Sequence, residues 1–214
     1  MQAKPKLKLS IVLILILSII LSACNQNKSE TATTNTQEKR KPISLAFDKK
    51  GVANTILNNG SLPADALIPQ GFVKGSDNKD FRSTSHVKLE TNVAEAKKLW
   101  EVAKKELGTQ TITLEIVSTD DSNDKKITEF LKGELEKNLP GLNITLTQLP
   151  VKVYLERESK GDYEISLSGW GADYPDPMTF LDMFITDSSF NRMNYSNSKY
   201  DELIHNAGST LLTE

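Results

Sequence analysis

The sequence predicts an α/β domain, and three stretches carry the prediction. Residues 92–107 place Val93, Ala96, Leu99, Trp100, Ala103 and Leu107 on one helical face. Residues 111–117 alternate, with Ile112, Leu114 and Ile116 on one side and Thr111, Thr113 and Glu115 on the other, as a half-buried strand does. Residues 123–149 then repeat the order of helix and strand. Strand, helix of several turns, strand is a crossover unit, whose two strands should run parallel.

Each element has its own justification. From about Lys41 the chain turns globular, with Leu45, Ala46, Val52, Ala53, Ile56 and Leu57 at helical spacings. Gly60 after Asn58-Asn59 ends that pattern, and Gly51 inside it weakens a helix. Residues 60–86 form a long polar connection with Pro63, Pro69, Gly71 and Gly75; such a length is usually functional or a strap between lobes. The helix over 92–107 stops at Gly108. A second helix over 123–139 carries Ile127, Phe130, Leu131, Leu135 and Leu139 and ends before Pro140-Gly141. A strand over 143–149 turns Ile144 and Leu146 inward, and a third over 163–168 has Tyr163, Ile165 and Leu167 on one face. A last helix over 199–206 takes Ser198 as its cap and Tyr200, Leu203 and Ile204 inward. There is no internal repeat.

Composition narrows the function. The chain has 214 residues, 28 acidic and 26 basic side chains, two His and one Cys. A net charge of -2 lacks the basic surplus of a nucleic-acid binder. One cysteine excludes an internal disulfide and a multi-cysteine zinc site. His86 lies in a polar loop and His205 on the last helix, and no Gly-x-Ser-x-Gly elbow accompanies them. A nucleophile needs a positioned base, so no catalytic residue is assigned and an enzyme is not expected. Asp120-Asp121-Ser122-Asn123-Asp124 lacks the spacing and glycine of an EF-hand and reads as a solvated strand-to-helix turn. No metal or other cofactor is expected. A sugar-binding module would want several aromatic platforms; of the two tryptophans, Trp100 is already committed to a core face.

The N-terminus reads as a targeting segment. Lys4, Lys6 and Lys8 precede an apolar run at 11–21, broken only by Ser18, and Leu21-Ser22-Ala23-Cys24 closes it. A positive start, a short apolar stretch and small residues make a secretory signal peptide over 1–23. A run of eleven residues is too short to span a bilayer, which takes about 20. The last four residues resemble the lipobox of bacterial lipoproteins. That resemblance implies that Cys24 is diacylated on sulfur and becomes the first mature residue, with enough acyl chain for stable membrane attachment. Losing residues 1–23 removes three lysines and no acids, leaving 23 basic against 28 acidic residues and a net charge of -5. Residues 25–39, NQNKSETATTNTQEK, contain no Val, Ile, Leu or aromatic residue. With Cys24 they form a lipidated, disordered tether over 24–39 that lifts a globular block at 40–214 off the membrane.

After the third strand comes Gly169-Trp170-Gly171-Ala172-Asp173-Tyr174-Pro175-Asp176-Pro177. Chain leaving the carboxyl end of a strand in an α/β sheet is where ligands bind. Asp176-Pro177 reads as the N-cap and first residue of a helix near 177–185. Asp173 is left without such a task. A carboxylate beside an aromatic ring and two glycines suits a cationic group, because glycine admits close approach to the backbone and the ring offers a cation-attracting wall. Taken alone, the same residues also fit a core tryptophan and a turn aspartate.

The run SGWGADYPDPMTFLDMF, with Ser188-Ser189 and Asn194-Tyr195 after it, resembles the oligopeptide-binding lipoproteins of bacterial ABC importers, the family 5 extracellular solute-binding proteins. The run at 40–49, RKPISLAFDK, with Asn59-Gly60 and Pro63 following, is similar to the same family and falls in the family's order. Pro42 stands where the family usually has Ala, and proline is tolerated in a first helical turn. The resemblance covers about residues 40–207. It implies one lobe of a two-lobed, periplasmic-binding-protein-like fold of the class II type, a mixed sheet flanked by helices, incomplete. It also implies capture of short peptides outside the cytoplasm and their delivery to an ABC permease in the membrane. Asp173 would pair with the peptide α-ammonium, Trp170 and Gly171 would line the same site, and main-chain hydrogen bonds would hold the extended peptide. The location implied is a Gram-positive-type surface lipoprotein anchored to the cell membrane, with no nucleic-acid partner. Peptide preference, and a nutrient against a pheromone role, stay open.

Family members are much longer chains whose two lobes close on the peptide. Here residue 39 passes directly into the first family-like helix, so the chain reads as a signal peptide joined to most of one lobe. The expectation is weak or absent peptide binding. The alternative is a vestigial or decoy surface lipoprotein with no transported ligand.

Overall fold

The computed structural model describes residues 40–84 and 89–210. The expected signal peptide, Cys24, the tether, His86 and residues 211–214 lie outside the described residues.

A parallel three-stranded sheet organises the chain. Its strands are β1 (Ile112–Thr119), β2 (Leu142–Leu149) and β3 (Ile165–Ser166), in the order β2-β1-β3. β1 pairs with β2 from Ile112↔Leu142 to Thr119↔Leu149, and with β3 at Ile116↔Ile165 and Val117↔Ser166. The crossover expected between the first two strands is therefore present. β1 is the central strand, so Ile116, Val117 and Ser118 near its carboxyl end are buried on both faces. β3 is shorter than the 163–168 expected; past it only the Leu167 N–H continues the ladder, donating to Val117 O at 2.9 Å.

Two core helices follow the periodicity of the sequence. α4 (Val93–Leu107) follows α1 (residues 40–45), α2 (Lys49–Gly51) and the single turn α3 (Phe81–Thr84). The Asn92 side chain caps α4 by accepting from Glu95 N–H, and Gly108, at φ 66°, ends it in the left-handed region. Its buried face is Ala96, Trp100 and Ala103. Leu107, expected inward, is 51% exposed in the last turn. α5 (Ser122–Asn138) is capped by the Asp121 carboxylate, which accepts from Asn123 N–H at 2.7 Å. Leu135 and Leu139 are fully buried, and so is Thr128, whose hydroxyl bonds back to Asp124 O and Lys125 O. These helices and the sheet enclose Leu45, Ala46, Ala96, Trp100, Ile116, Leu135, Leu139, Leu142 and Ile144. Trp100 also donates its indole N–H to Pro140 O at 2.9 Å, so its burial leaves no polar atom unpaired.

The N-terminal part differs from the single helical pattern expected. The Asp48 carboxylate accepts from Lys50 N–H and starts a second helix there, which runs on as one π-helical turn over Val52–Leu57 and stops at left-handed Asn58. Gly51 lets the Phe130 ring pack close, since a Cβ would sit 2.8 Å from Phe130 Cζ and would push that ring aside. The segment is fastened to the core by Asn138, whose buried side-chain amide donates to Ala46 O at 2.7 Å. The connection at 60–84 is irregular, with one antiparallel bridge, Lys74↔Asp80.

α6 (Val151–Ser159) is a helix that periodicity did not reveal. Its opening, VKVYL, alternates as a strand does, yet Val151, Val153 and Leu155 are exposed, and the buried pair is Tyr154 and Glu158, one helical turn apart. Arg157 on the same helix grips Glu115 of β1 with two hydrogen bonds, of 3.2 and 2.8 Å.

Candidate functional site

The chain leaves β3 at Ser166 and enters the 169–177 segment at the carboxyl end of the sheet. The segment is tied down at its far end. The Asp173 N–H donates to the hydroxyl of buried Thr179 at 3.1 Å, and Asp176 Oδ1 accepts from Met178 N–H at 2.8 Å. Asp176 thus accepts from the first helical N–H, but Pro177, expected as the first helical residue, is itself the N-cap, and the helix that follows is only α7 (Met178–Leu181), continued by a 3-10 turn at Asp182–Phe184. α7 is held by Phe72, edge-on to Phe180 at 5.4 Å. α8 (Ser198–Thr210) also holds it, through Tyr200 donating to Leu181 O at 2.5 Å. α8 begins as expected but takes its cap from Asn197, which accepts from Tyr200 N–H. Ile204 is its buried residue, whereas Leu203, expected inward, is 55% exposed.

These elements surround an open cavity of about 530 Å³. Of the residues singled out in the sequence, Trp170 and Asp173 both line it. Gly171 lies exposed between them and is not among the lining residues; a Cβ there would meet nothing within 4 Å. Trp170 packs edge-to-face on Phe190, with ring centroids 4.8 Å apart, and its buried indole N–H has no hydrogen-bond partner among the described residues. The Asp173 side chain is exposed, and among the described residues its carboxylate has no hydrogen-bond or ion-pair partner. The sequence alternative of a turn aspartate is met only by its main chain.

Tyr174, Thr179, Asp182, Asp187 and Phe190 line the same cavity, as does His205, which the sequence placed only on the last helix and not at the site. The 169–177 segment, α7 with its 3-10 turn, the stretch at 185–190 and α8 contribute them, and only their packing brings them together.

The cavity wall is acidic, with Asp173, Asp182 and Asp187 and neither Lys nor Arg among the lining residues. Tyr174 donates to Asp182 Oδ2 at 3.3 Å, and burial together with the Asp182 charge pushes its hydroxyl above the usual tyrosine range. Burial, with Tyr195 and the Asp182 charge beside it, pushes Tyr200 up to about 12. Both phenols therefore stay neutral donors at physiological pH. Among the described residues no group of three or more His, Cys, Asp or Glu side chains is placed to hold a metal ion. An exposed carboxylate, an aromatic pair and an acidic wall suit a ligand that presents a cation with apolar surface next to it.

The description "Bacterial extracellular solute-binding proteins, family 5 Middle" belongs to a family model that matches residues 9–192. A dipeptide-binding protein of Lactococcus lactis is 34% identical over 175 residues, which are 81% of this chain and 32% of that protein. The structure of Listeria monocytogenes OppA bound to peptide superposes with a TM-score of 0.76 at 45% identity, over 82% of this chain and 34% of that one. A crystal structure of a peptide-binding protein of a peptide ABC transporter gives a TM-score of 0.80 at 37% identity, over 88% of this chain and 84% of that one. The chain spans about a third of the length of the curated relatives it matches.

Proposed function

This chain belongs to the bacterial extracellular solute-binding proteins, family 5, and on that premise we propose that its lobe receives the N-terminal end of a short peptide. Asp173 pairs with the α-ammonium group, Trp170 forms the wall beside it, and Gly171 leaves the backbone open for the peptide to approach. The observation that carries the reading is the unpaired, exposed Asp173 carboxylate at an aromatic-walled cavity. A carboxylate in water costs nothing to keep; facing an ammonium group it gains a charge-assisted hydrogen bond of about 1.5–3 kcal/mol. Main-chain hydrogen bonds to the extended peptide supply the rest, and because every peptide offers the same backbone groups, side-chain tolerance follows.

Binding by this lobe is weak in our reading, because the cavity is open and Asp173 remains in contact with solvent, where ion pairs are screened. In the same reading residues 1–23 are a signal peptide, Cys24 carries the lipid, and residues 24–39 tether the lobe outside the cell membrane, where an ABC permease is its partner. Isothermal titration with a pool of mixed short peptides tests the site. Heat of binding that disappears in Asp173→Ala supports it. Saturable micromolar binding would sink the expectation of a weak site, and binding that Asp173→Ala leaves unchanged would remove Asp173 from the site. Silence at millimolar peptide favours a vestigial or decoy surface lipoprotein.

A further inference from the structure

We infer that Asn191 is a positioning residue that sets the aromatic wall of the cavity by holding Phe190 against Trp170. As a statement about a peptide site, this rests on the proposed function; as a statement about the wall, it stands on the geometry alone.

The outer rim of the cavity is an irregular strap at 185–190, which contributes Ile185, Asp187, Ser188, Ser189 and Phe190. Its own main chain stiffens it, with Ser188 N–H donating to Ile185 O and Asn191 N–H to Ser188 O, both at 3.0 Å, and one side chain ties its two sides together. Asn191 is 7% exposed and turns its amide inward. Its nitrogen lies 2.6 Å from Tyr195 O, 3.1 Å from Ile185 O and 3.4 Å from Thr186 O, while its oxygen accepts from Tyr195 N–H at 2.9 Å. An amide has two N–H donors, so one serves Tyr195 O and the other is shared between the Ile185 and Thr186 carbonyls. The two sides of the strap are thus joined across the residue next to Phe190.

The joined strap is anchored at both flanks. Thr186 is bound to Asp201 of α8, and Arg192 pairs with buried Glu158 of α6 while its carbonyl accepts from Tyr163. Phe190 is nearly half exposed and packs edge-to-face on Trp170, while its N–H donates to Ser188 Oγ at 3.3 Å and its carbonyl accepts from Arg192 N–H at 2.9 Å. Without Asn191, the Ile185 and Thr186 carbonyls of the strap and the N–H and carbonyl of Tyr195 lose their shared partner, Ile185 O keeping Ser188 N–H, and the cheapest remedy is for the strap to move into water.

The test labels the full chain with 5-fluorotryptophan, giving one fluorine resonance each for Trp100 and Trp170. Phe190→Ala should shift the Trp170 resonance and leave Trp100 in place. Asn191→Ala should shift the Trp170 resonance in the same direction, again without moving Trp100, and should add nothing in the Phe190→Ala background. A Trp170 resonance that stays in place overturns the inference. So does a shift of both tryptophans, which marks a general structural role, and so does simple additivity in the double variant. Should Asn191→Ala fail to fold, hydrogen exchange of the wild-type chain decides. The Tyr195 amide, which belongs to no helix or strand, should exchange about a hundredfold slower than a free amide, and an unprotected Tyr195 amide overturns the inference. If wild type binds peptide, Asn191→Ala and Phe190→Ala should each weaken it about tenfold. If wild type binds none, the peptide reading fails and the fluorine result alone decides for Asn191.

Discussion

Glu158 offers a sharp test of how the site end of the molecule is held together. It is 4% exposed on α6, with Oε1 2.8 Å from the Tyr154 hydroxyl and 3.1 Å from Ser166 Oγ, and with Oε2 paired to Arg192. It joins a helix, the last strand and the strap that forms the cavity rim. Glu158→Ala leaves Arg192 without its anion and opens space under Tyr154. Removing one partner of a buried ion pair costs about 3–5 kcal/mol. The Arg192 side chain is 32% exposed and can be partly rehydrated, so the expected loss is about 2–4 kcal/mol. That is a large share of the roughly 5–15 kcal/mol by which a domain is stable. Glu158→Gln keeps the acceptor for Tyr154 and loses only the charge, so it should cost less. Arg192→Met should recover part of the loss in the Glu158→Ala background, because the stranded cation is then gone. Urea unfolding followed by far-UV circular dichroism measures wild type, the two Glu158 variants, Arg192→Met and the double variant. Glu158→Ala within about 0.5 kcal/mol of wild type would refute the reasoning, as would strict additivity with Arg192→Met.

Other expectations follow from single positions. Gly141→Ala should destabilise by more than about 3 kcal/mol, because φ is 86° and the new Cβ would lie 2.2 Å from Gln110 O; Gly133→Ala, inside α5 with open space around its Cβ, should instead stabilise by about 0.5–1 kcal/mol. Midpoints of urea unfolding separate the two. The Arg157 hydrogen bonds, and then that of Thr147, hold the Glu115 carboxyl below the usual Glu value of 4.5. A depressed acid contributes stability above its unfolded value and loses it as pH falls through the folded one. Stability should therefore drop as pH falls from about 4.5, and Arg157→Gln should flatten that drop; an unchanged slope would contradict the pairing.

The parts of the fold that were legible are those where burial and period agree. α4, β1, α5 and β2 each turn one apolar face to a shared core, so Trp100, Leu135 and Ile144 lie where their spacing puts them. α6 was illegible because its inward residues are Tyr154 and Glu158, a polar network, while its valines face water. The break at Asp48 was illegible for a related reason: a carboxylate cap decides it, although the apolar spacing runs straight through. At the site, Trp170 and Asp173 could be found because they leave the carboxyl end of a strand in one short run. Asp182, Asp187, Phe190 and His205 could not, since the cavity exists only once α7, the strap and α8 are packed.

The central claim is that Asp173 receives a peptide's free amino end. Its most direct test compares trialanine with N-acetyl-trialanine, by titration, on the wild-type chain and on Asp173→Asn. Wild type should bind the free amine about tenfold or more tighter than the acetylated peptide, the free-energy equivalent of one charge-assisted hydrogen bond. Asp173→Asn should erase that difference while leaving the acetylated peptide's affinity unchanged. Equal affinity for the two peptides on wild type, or a preference that survives in Asp173→Asn, would contradict the account.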